Sequence, residues 1–162
     1  MPLVRPRRKG VQKPKRLLLV ASAGGHWVQL CRLAPAYENL EVKFVTTVRR
    51  GHAPMGERPV ATVTDASTRR PHQVALLMLQ MAWVFFGFRP EVILSTGAAP
   101  GVVAIWLGRL VGARTIWIDS IANSEKVSLS ARLVASQADV RLTQWPHLAN
   151  ETDRLGYIGA VL

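Results

Sequence analysis

Two aliphatic runs, residues 17–20 and 92–94, each break into a loop of small residues followed by helical spacing. That arrangement limits what the chain can fold into more than any other feature. An unbroken run of large apolar residues suits a strand buried on both faces, as in a parallel sheet. The loop after it then needs residues without bulky side chains, for a tight turn or for close approach to a ligand. The first loop reads Ser22-Ala23-Gly24-Gly25-His26 and the second Ser95-Thr96-Gly97-Ala98-Ala99-Pro100-Gly101. A helix starting at Gly25 would turn its unpaired N–H groups toward the first loop and offer a place for an anion. His26 then stands on the rim with a titratable ring.

The remaining pattern predicts strands at 16–21, 42–48, 60–63, 92–95, 115–118, 140–143 and 157–158. Helices are predicted from Gly25 until Pro35 stops or kinks them, over 74–88, from a first turn holding Pro100 to Leu110 with Gly112 closing it, and over 129–135. The third of these carries one charge, Arg109, and should be mostly buried. Strands alternating with helices give an α/β fold: a parallel-sheet, Rossmann-like domain with helices on both faces. Right-handed crossovers place every strand's carboxyl end on one edge, where such folds bind ligands. Ser22 to His26, Ser95 to Gly101, Asp119-Ser120 and Gln144-Trp145 all fall on that edge. Asp119 is a second titratable group there, equally suited to capping the turn that follows it.

Residues 74–88 are apolar on every side except at Gln80, with Arg69 and Arg70 before them and Arg89 after. The run is short for a bilayer span, which takes roughly 20 residues. A helix apolar all round is buried or touches lipid. One reading is a core helix under the sheet. The other puts its outer face in a membrane interface through Leu76, Leu79, Trp83 and Phe86, with the flanking arginines on anionic headgroups.

The formal charge of +11 points to an anionic partner. Seven cations and no acid precede Leu17: Arg5, Arg7, Arg8, Lys9, Lys13, Lys15 and Arg16. Residues 1–15 are therefore read as a basic arm, solvated or lying on a membrane, and residues 16–162 as one domain. The arm has no apolar run and is not a secretory signal. Nucleic acid is not the expected partner, because no helix-turn-helix, zinc finger or aromatic–basic interleaving accompanies the charge. A single cysteine, Cys31, allows no intrachain disulfide, and the scattered histidines give no metal-ligand spacing. Neither loop matches a Walker A or a Gly-x-Gly-x-x-Gly sequence, so no nucleotide cofactor is expected on this chain.

Five blocks in order carry a family resemblance: 21–26 (Ala-Ser-Ala-Gly-Gly-His), 95–101, 117–122 (Trp-Ile-Asp-Ser-Ile-Ala), 144–146 (Gln-Trp-Pro) and 157–162. The chain resembles the PssD-type polysaccharide-biosynthesis proteins of bacteria. These are similar to the membrane-anchoring subunit of the two-subunit N-acetylglucosaminyltransferase of lipid-linked oligosaccharide synthesis. The resemblance implies the amino-terminal half of a split, MurG-like GT-B glycosyltransferase. It implies an acceptor-side subunit at the cytoplasmic face of the inner membrane, with little or no activity alone. A second subunit would supply the carboxyl-terminal half and most of the nucleotide-sugar site. The acceptor would be a polyprenyl-pyrophosphate-linked saccharide, held by Ser22, Gly24, Gly25, Thr96, Gly97 and Gly101. His26 matches the histidine of the first glycine-rich loop and becomes the candidate catalyst or pyrophosphate contact. Asp119 falls where MurG has a glutamate, in a different local sequence. A non-catalytic anchor that recruits and activates its partner is the alternative. The eukaryotic relatives have an amino-terminal membrane helix where this chain has its basic arm.

Overall fold

The structure is a computed structural model that describes residues 15–54, 56–67, 69–157 and 159–161. Of the basic arm, only Lys15 falls among them. Seven strands form one sheet: β1 (Arg16–Ala21), β2 (Glu41–Thr46), β3 (Val60–Thr62), β4 (Val92–Gly97), β5 (Arg114–Ile118), β6 (Val140–Thr143) and β7 (Leu155–Tyr157). They lie in the order β3-β2-β1-β4-β5-β6-β7, and every neighbouring pair is parallel. The helices are α1 (Gly25–Arg32), α2 (Pro71–Phe88), α3 (Ala98–Leu110) and α4 (Leu129–Leu133).

The alternation of side chains along β1 divides the core in two. Leu17, Leu19 and Ala21 pack with Leu30 of α1, Tyr37 and Phe44. Leu18 and Val20 pack on the opposite face with α2, α3 and α4, through Leu77, Met81, Ile105, Ala131 and Val134. The chain leaves β1 toward one face and β4 toward the other, so the order reverses between these two central strands. A crevice opens at such a reversal, at the carboxyl ends of the strands.

Several boundaries differ from the sequence pattern, each for a local reason. β2 stops at Thr46 because the Thr46 hydroxyl accepts the Val48 N–H at 3.2 Å and turns the chain. α2 begins three residues before the apolar run, with Pro71 in its first turn, where a missing N–H costs nothing. β4 runs on to Gly97 and α3 begins at Ala98, so Pro100 is the third helical residue. α4 ends at Leu133, and the last strand is Leu155–Tyr157; Ile158, expected within it, lies outside the described residues. α3 is less buried than its composition suggests, with Trp106 and Leu110 facing outward. Its predicted end holds: Gly112, at φ +75°, donates to the Arg109 carbonyl and the chain reverses.

Close packing of α3 on the sheet depends on Gly101. A Cβ placed there would lie 2.0 Å from the Ser95 hydroxyl and 3.0 Å from the Trp117 ring. Both neighbours are fully buried and have nowhere to move. Gly101→Ala should therefore destabilise the domain by about 1–3 kcal/mol in urea unfolding. At the opposite edge, the Asp139 carboxyl accepts the Thr115 N–H at 2.8 Å and hydroxyl at 3.0 Å. The backbone bond from Thr115 is the main cause that holds its pKa below the usual carboxylate value. A depressed folded-state pKa means stability that is present above the unfolded value and lost as pH falls through the folded one. Asp139→Ala should remove that acid-side loss, visible as a flatter stability profile below about pH 4.

Candidate functional site at the strand-order reversal

The first loop leaves β1 with its backbone open. Gly24 sits at φ +77° and precedes α1 with no side-chain cap, and nothing lies within 4 Å of where a Cβ of Gly24 or Gly25 would be. The Val28 N–H closes the first helical bond to the Gly24 carbonyl at 3.1 Å. The preceding Ala23 N–H donates to the Thr47 hydroxyl at 2.8 Å. Thr47 was not legible as a site residue, because its role arises only when β1 and β2 pair. Ser22 is buried, with its hydroxyl only 3.4 Å from the Ala23 carbonyl.

The second loop grips His26. β1 and β4 run in register through Val20 and Ser95, then Ala21 pairs with Gly97. Thr96 is the extra residue of a β-bulge, and bulges re-aim a residue beside a site. The Thr96 carbonyl lies 2.9 Å from His26 Nδ1, and the Thr96 hydroxyl donates to the His26 carbonyl at 2.7 Å. Gly97, at φ +144°, completes the seat: a Cβ there would come within 2.4 Å of the imidazole. Ala98 follows at φ +64°, a left-handed conformation that costs a residue with a Cβ roughly 1–2 kcal/mol. The turn is thus strained around the ring it holds.

This geometry fixes the imidazole's chemistry. A carbonyl oxygen can only accept, so Nδ1 must carry the proton. In the neutral ring, Nε2 then holds the free lone pair, poised to take a proton or, once protonated, to meet an anion. Ser95, also fully buried, spends its hydroxyl on the Gly97 N–H at 3.2 Å. The two predicted loops do meet, through His26, Thr96 and Gly97. Gly101 stands behind them, packed on Ser95, and its small size is explained by that packing.

Asp119 takes the capping role rather than the catalytic one. It is only 2% exposed. Its Oδ1 accepts the Ser128 hydroxyl at 2.7 Å and the Asn123 amide at 3.3 Å, and its Oδ2 accepts the Ser128 N–H at 2.9 Å. Ser128 in turn caps α4, accepting the Ala131 N–H at 3.0 Å. Both carboxylate oxygens are engaged within the fold, so Asp119 serves as a clamp on loop 120–128. Two buried amides brace the same point. Gln144 Nε2 donates to the Asp119 carbonyl at 2.9 Å, while its Oε1 accepts the Val161 N–H at 2.7 Å. Gln29 of α1 approaches that carbonyl at 3.5 Å. Trp145 Nε1 donates to the Ile121 carbonyl at 2.8 Å.

The predicted membrane-contact residues divide cleanly from the core. α2 gives Leu77, Met81, Val84 and Phe85 to the interior. Leu76, Leu79, Trp83 and Phe86 face outward; Leu79, Trp83 and Phe86 are each more than 70% exposed. Gln80, the one polar residue of the run 74–88, accepts the Thr64 N–H at 2.7 Å and pins the segment after β3. Arg69 and Arg70 lie exposed just before the helix, and Arg89 closes it at φ +51°.

The model of the family described as "Oligosaccharide biosynthesis protein Alg14 like" matches residues 61–161. The chain belongs to that family. Over 182 residues this Alg14-like chain is 25% identical to the UDP-N-acetylglucosamine transferase subunit ALG14 of Eremothecium gossypii, covering 92% of this chain and 81% of that one. Over 84 residues it is 34% identical to the corresponding subunit of Schizosaccharomyces pombe, covering 49% of this chain and 40% of that one. Among solved structures, MurG of Acinetobacter baumannii superposes with a TM-score of 0.70 at 13% identity, over 91% of this chain and 46% of MurG. The UDP-N-acetylglucosamine 2-epimerase of Rickettsia bellii gives 0.69 at 10% identity, over 91% and 45%. These likenesses show the fold: the Alg14-like chain is a Rossmann-like unit equivalent to the amino-terminal half of a GT-B enzyme. It spans less than half of either structure.

Two measurements check this site. The nitrogen shifts of neutral His26 should report a protonated Nδ1 and a bare Nε2. Asp119→Ala should cost about 2–4 kcal/mol of stability, since it strands several partly buried donors, and should speed amide exchange across 120–128.

Proposed function

We propose that this Alg14-like chain is the acceptor-binding, membrane-associated subunit of a heteromeric glycosyltransferase. The enzyme transfers a sugar from a nucleotide sugar to a polyprenyl-pyrophosphate-linked saccharide in exopolysaccharide or capsule synthesis. The observation that carries this reading is the seating of His26: the Thr96 carbonyl holds Nδ1 at the crevice between β1 and β4, and Nε2 has no hydrogen-bond partner among the described residues. The relatives' names as transferase subunits support it, and so does the half-length match to MurG.

In this scheme an acceptor hydroxyl binds in the crevice and gives its proton to His26 Nε2. The hydroxyl oxygen forms a bond to the anomeric carbon of the donor sugar as the bond to the nucleotide diphosphate breaks. Thr96 keeps Nδ1 protonated, so the base is always the same nitrogen. The open N–H groups at the start of α1, beside Ser22, Gly24 and Gly25, receive the acceptor's pyrophosphate. Thr96 and Gly97 hold His26 on the opposite wall, and Gly101 lets α3 pack close behind them. A partner subunit closes the crevice and carries most of the nucleotide-sugar site. The exposed face of α2, with Arg69, Arg70 and Arg89 at its ends, rests on the anionic cytoplasmic leaflet of the inner membrane, where the acceptor's lipid is anchored.

Sugar transfer should be assayed with the partner subunit, a nucleotide sugar and a lipid-linked acceptor. His26→Ala should lower turnover about 10²–10⁴-fold, as expected for loss of a general base, without unfolding the chain. Unchanged turnover would remove His26 from the chemistry and leave the recruiting anchor as the better description. Trp83→Asp should release the chain from vesicles while leaving the fold intact.

A further inference from the structure

Apolar exposure on this chain is concentrated on one side. Thirteen large hydrophobic residues are exposed among the described residues, and ten belong to the layer formed by α2, α3 and α4. Five are on α2. Trp106, Leu110 and Val111 lie on or just after α3; Leu129 and Leu133, 61% and 46% exposed, lie on α4. All three helices cover the same face of the sheet, since each sends residues into the core on the Leu18 and Val20 side. Their outer surfaces therefore look the same way, with α3 packed between α2 and α4.

The surface is continuous. The Trp106 indole reaches across to the Leu133 carbonyl at 3.4 Å and joins α3 to α4. Between α2 and α3 runs a cleft of about 740 Å³, walled by Ala82, Phe85, Phe86, Leu107 and Val111. Leu129 and Leu133 stand one helical turn apart, so α4 presents them as a pair. Single exposed apolar residues are normal on a soluble protein, but ten large ones on one side are not.

Charge decides what covers this layer. None of the three helices contains an aspartate or a glutamate. Arg109 and Arg132 lie within them, and Arg69, Arg70 and Arg89 flank α2. Acids close to them are Glu91, at the end of the cleft, and Asp139, already 3.5 Å from Arg109. A second copy of the chain docked face to face would therefore set mostly arginines against one another. An anionic bilayer meets both the apolar side chains and the cations around them.

We infer that α4 is a second membrane-contact element: Leu129 and Leu133 enter an anionic lipid surface together with α2 and the end of α3. This inference rests on the membrane role given above to α2 and extends it to the whole helical layer. The domain then lies with its sheet along the membrane plane instead of hanging from one helix.

Vesicle sedimentation tests this with the full chain, on phosphatidylcholine alone and on phosphatidylcholine with phosphatidylglycerol. Leu129→Asp with Leu133→Asp changes two exposed residues, so the fold should persist, as circular dichroism would verify. Affinity for the anionic vesicles should drop at least about tenfold. Leu129→Lys with Leu133→Lys should lose less on anionic vesicles than the aspartate pair. If the aspartate pair binds like the unsubstituted chain while Trp83→Asp is released, α4 is not in contact and the inference fails with the α2 role intact. If the unsubstituted chain ignores both vesicles, the α2 role fails too.

Discussion

The pair of hydrogen bonds between Thr96 and His26 joins everything else on the working edge. It ties β4 to the first turn of α1 across the central strand boundary, and β1 and β4 are where the sheet's order reverses. Once the Thr96 carbonyl faces Nδ1, the tautomer, the ring plane and the direction of the free lone pair follow. Gly97 then has no choice of residue, because the ring occupies the place of its Cβ. Gly101 has none either, because Ser95 and Trp117 occupy the place of its own.

The sequence pattern reveals the fold well and the site less well. Period and turn chemistry place β1 and β6 to the residue, since both are bounded by polar or small residues; β1 is buried on both faces and β6 on one. β2 and α4 end earlier than their apolar runs, because a side-chain bond or a tight turn ends them. The pairing of His26 with a loop 70 residues away is legible only as a shared sheet edge. The bulge that makes the pairing possible leaves no mark in the sequence. Asp119 reads equally as a catalyst and a cap in the sequence, and its three hydrogen bonds give it the geometry of a cap. Thr47 and Gln29 carry no local signal at all, because each matters only through a partner on another element.

The apolar helix has one face in the core and one face exposed. A run without periodicity conceals which side is buried, and only the sheet beneath α2 selects Leu77, Met81, Val84 and Phe85. The same ambiguity hides α3 and α4. α3 shows an apolar run with a lone arginine, and α4 is too short for any period to emerge. Packing order exposes their outer sides together.

The bulge at Thr96 has a consequence for how this domain can change. Deleting one residue there would restore an unbroken ladder between β1 and β4 and relieve the left-handed Ala98. The imidazole would then lose its anchor. The site is in effect a tolerated dislocation in an otherwise regular sheet. At this turn, variation that favours a more regular backbone works against the seating of His26.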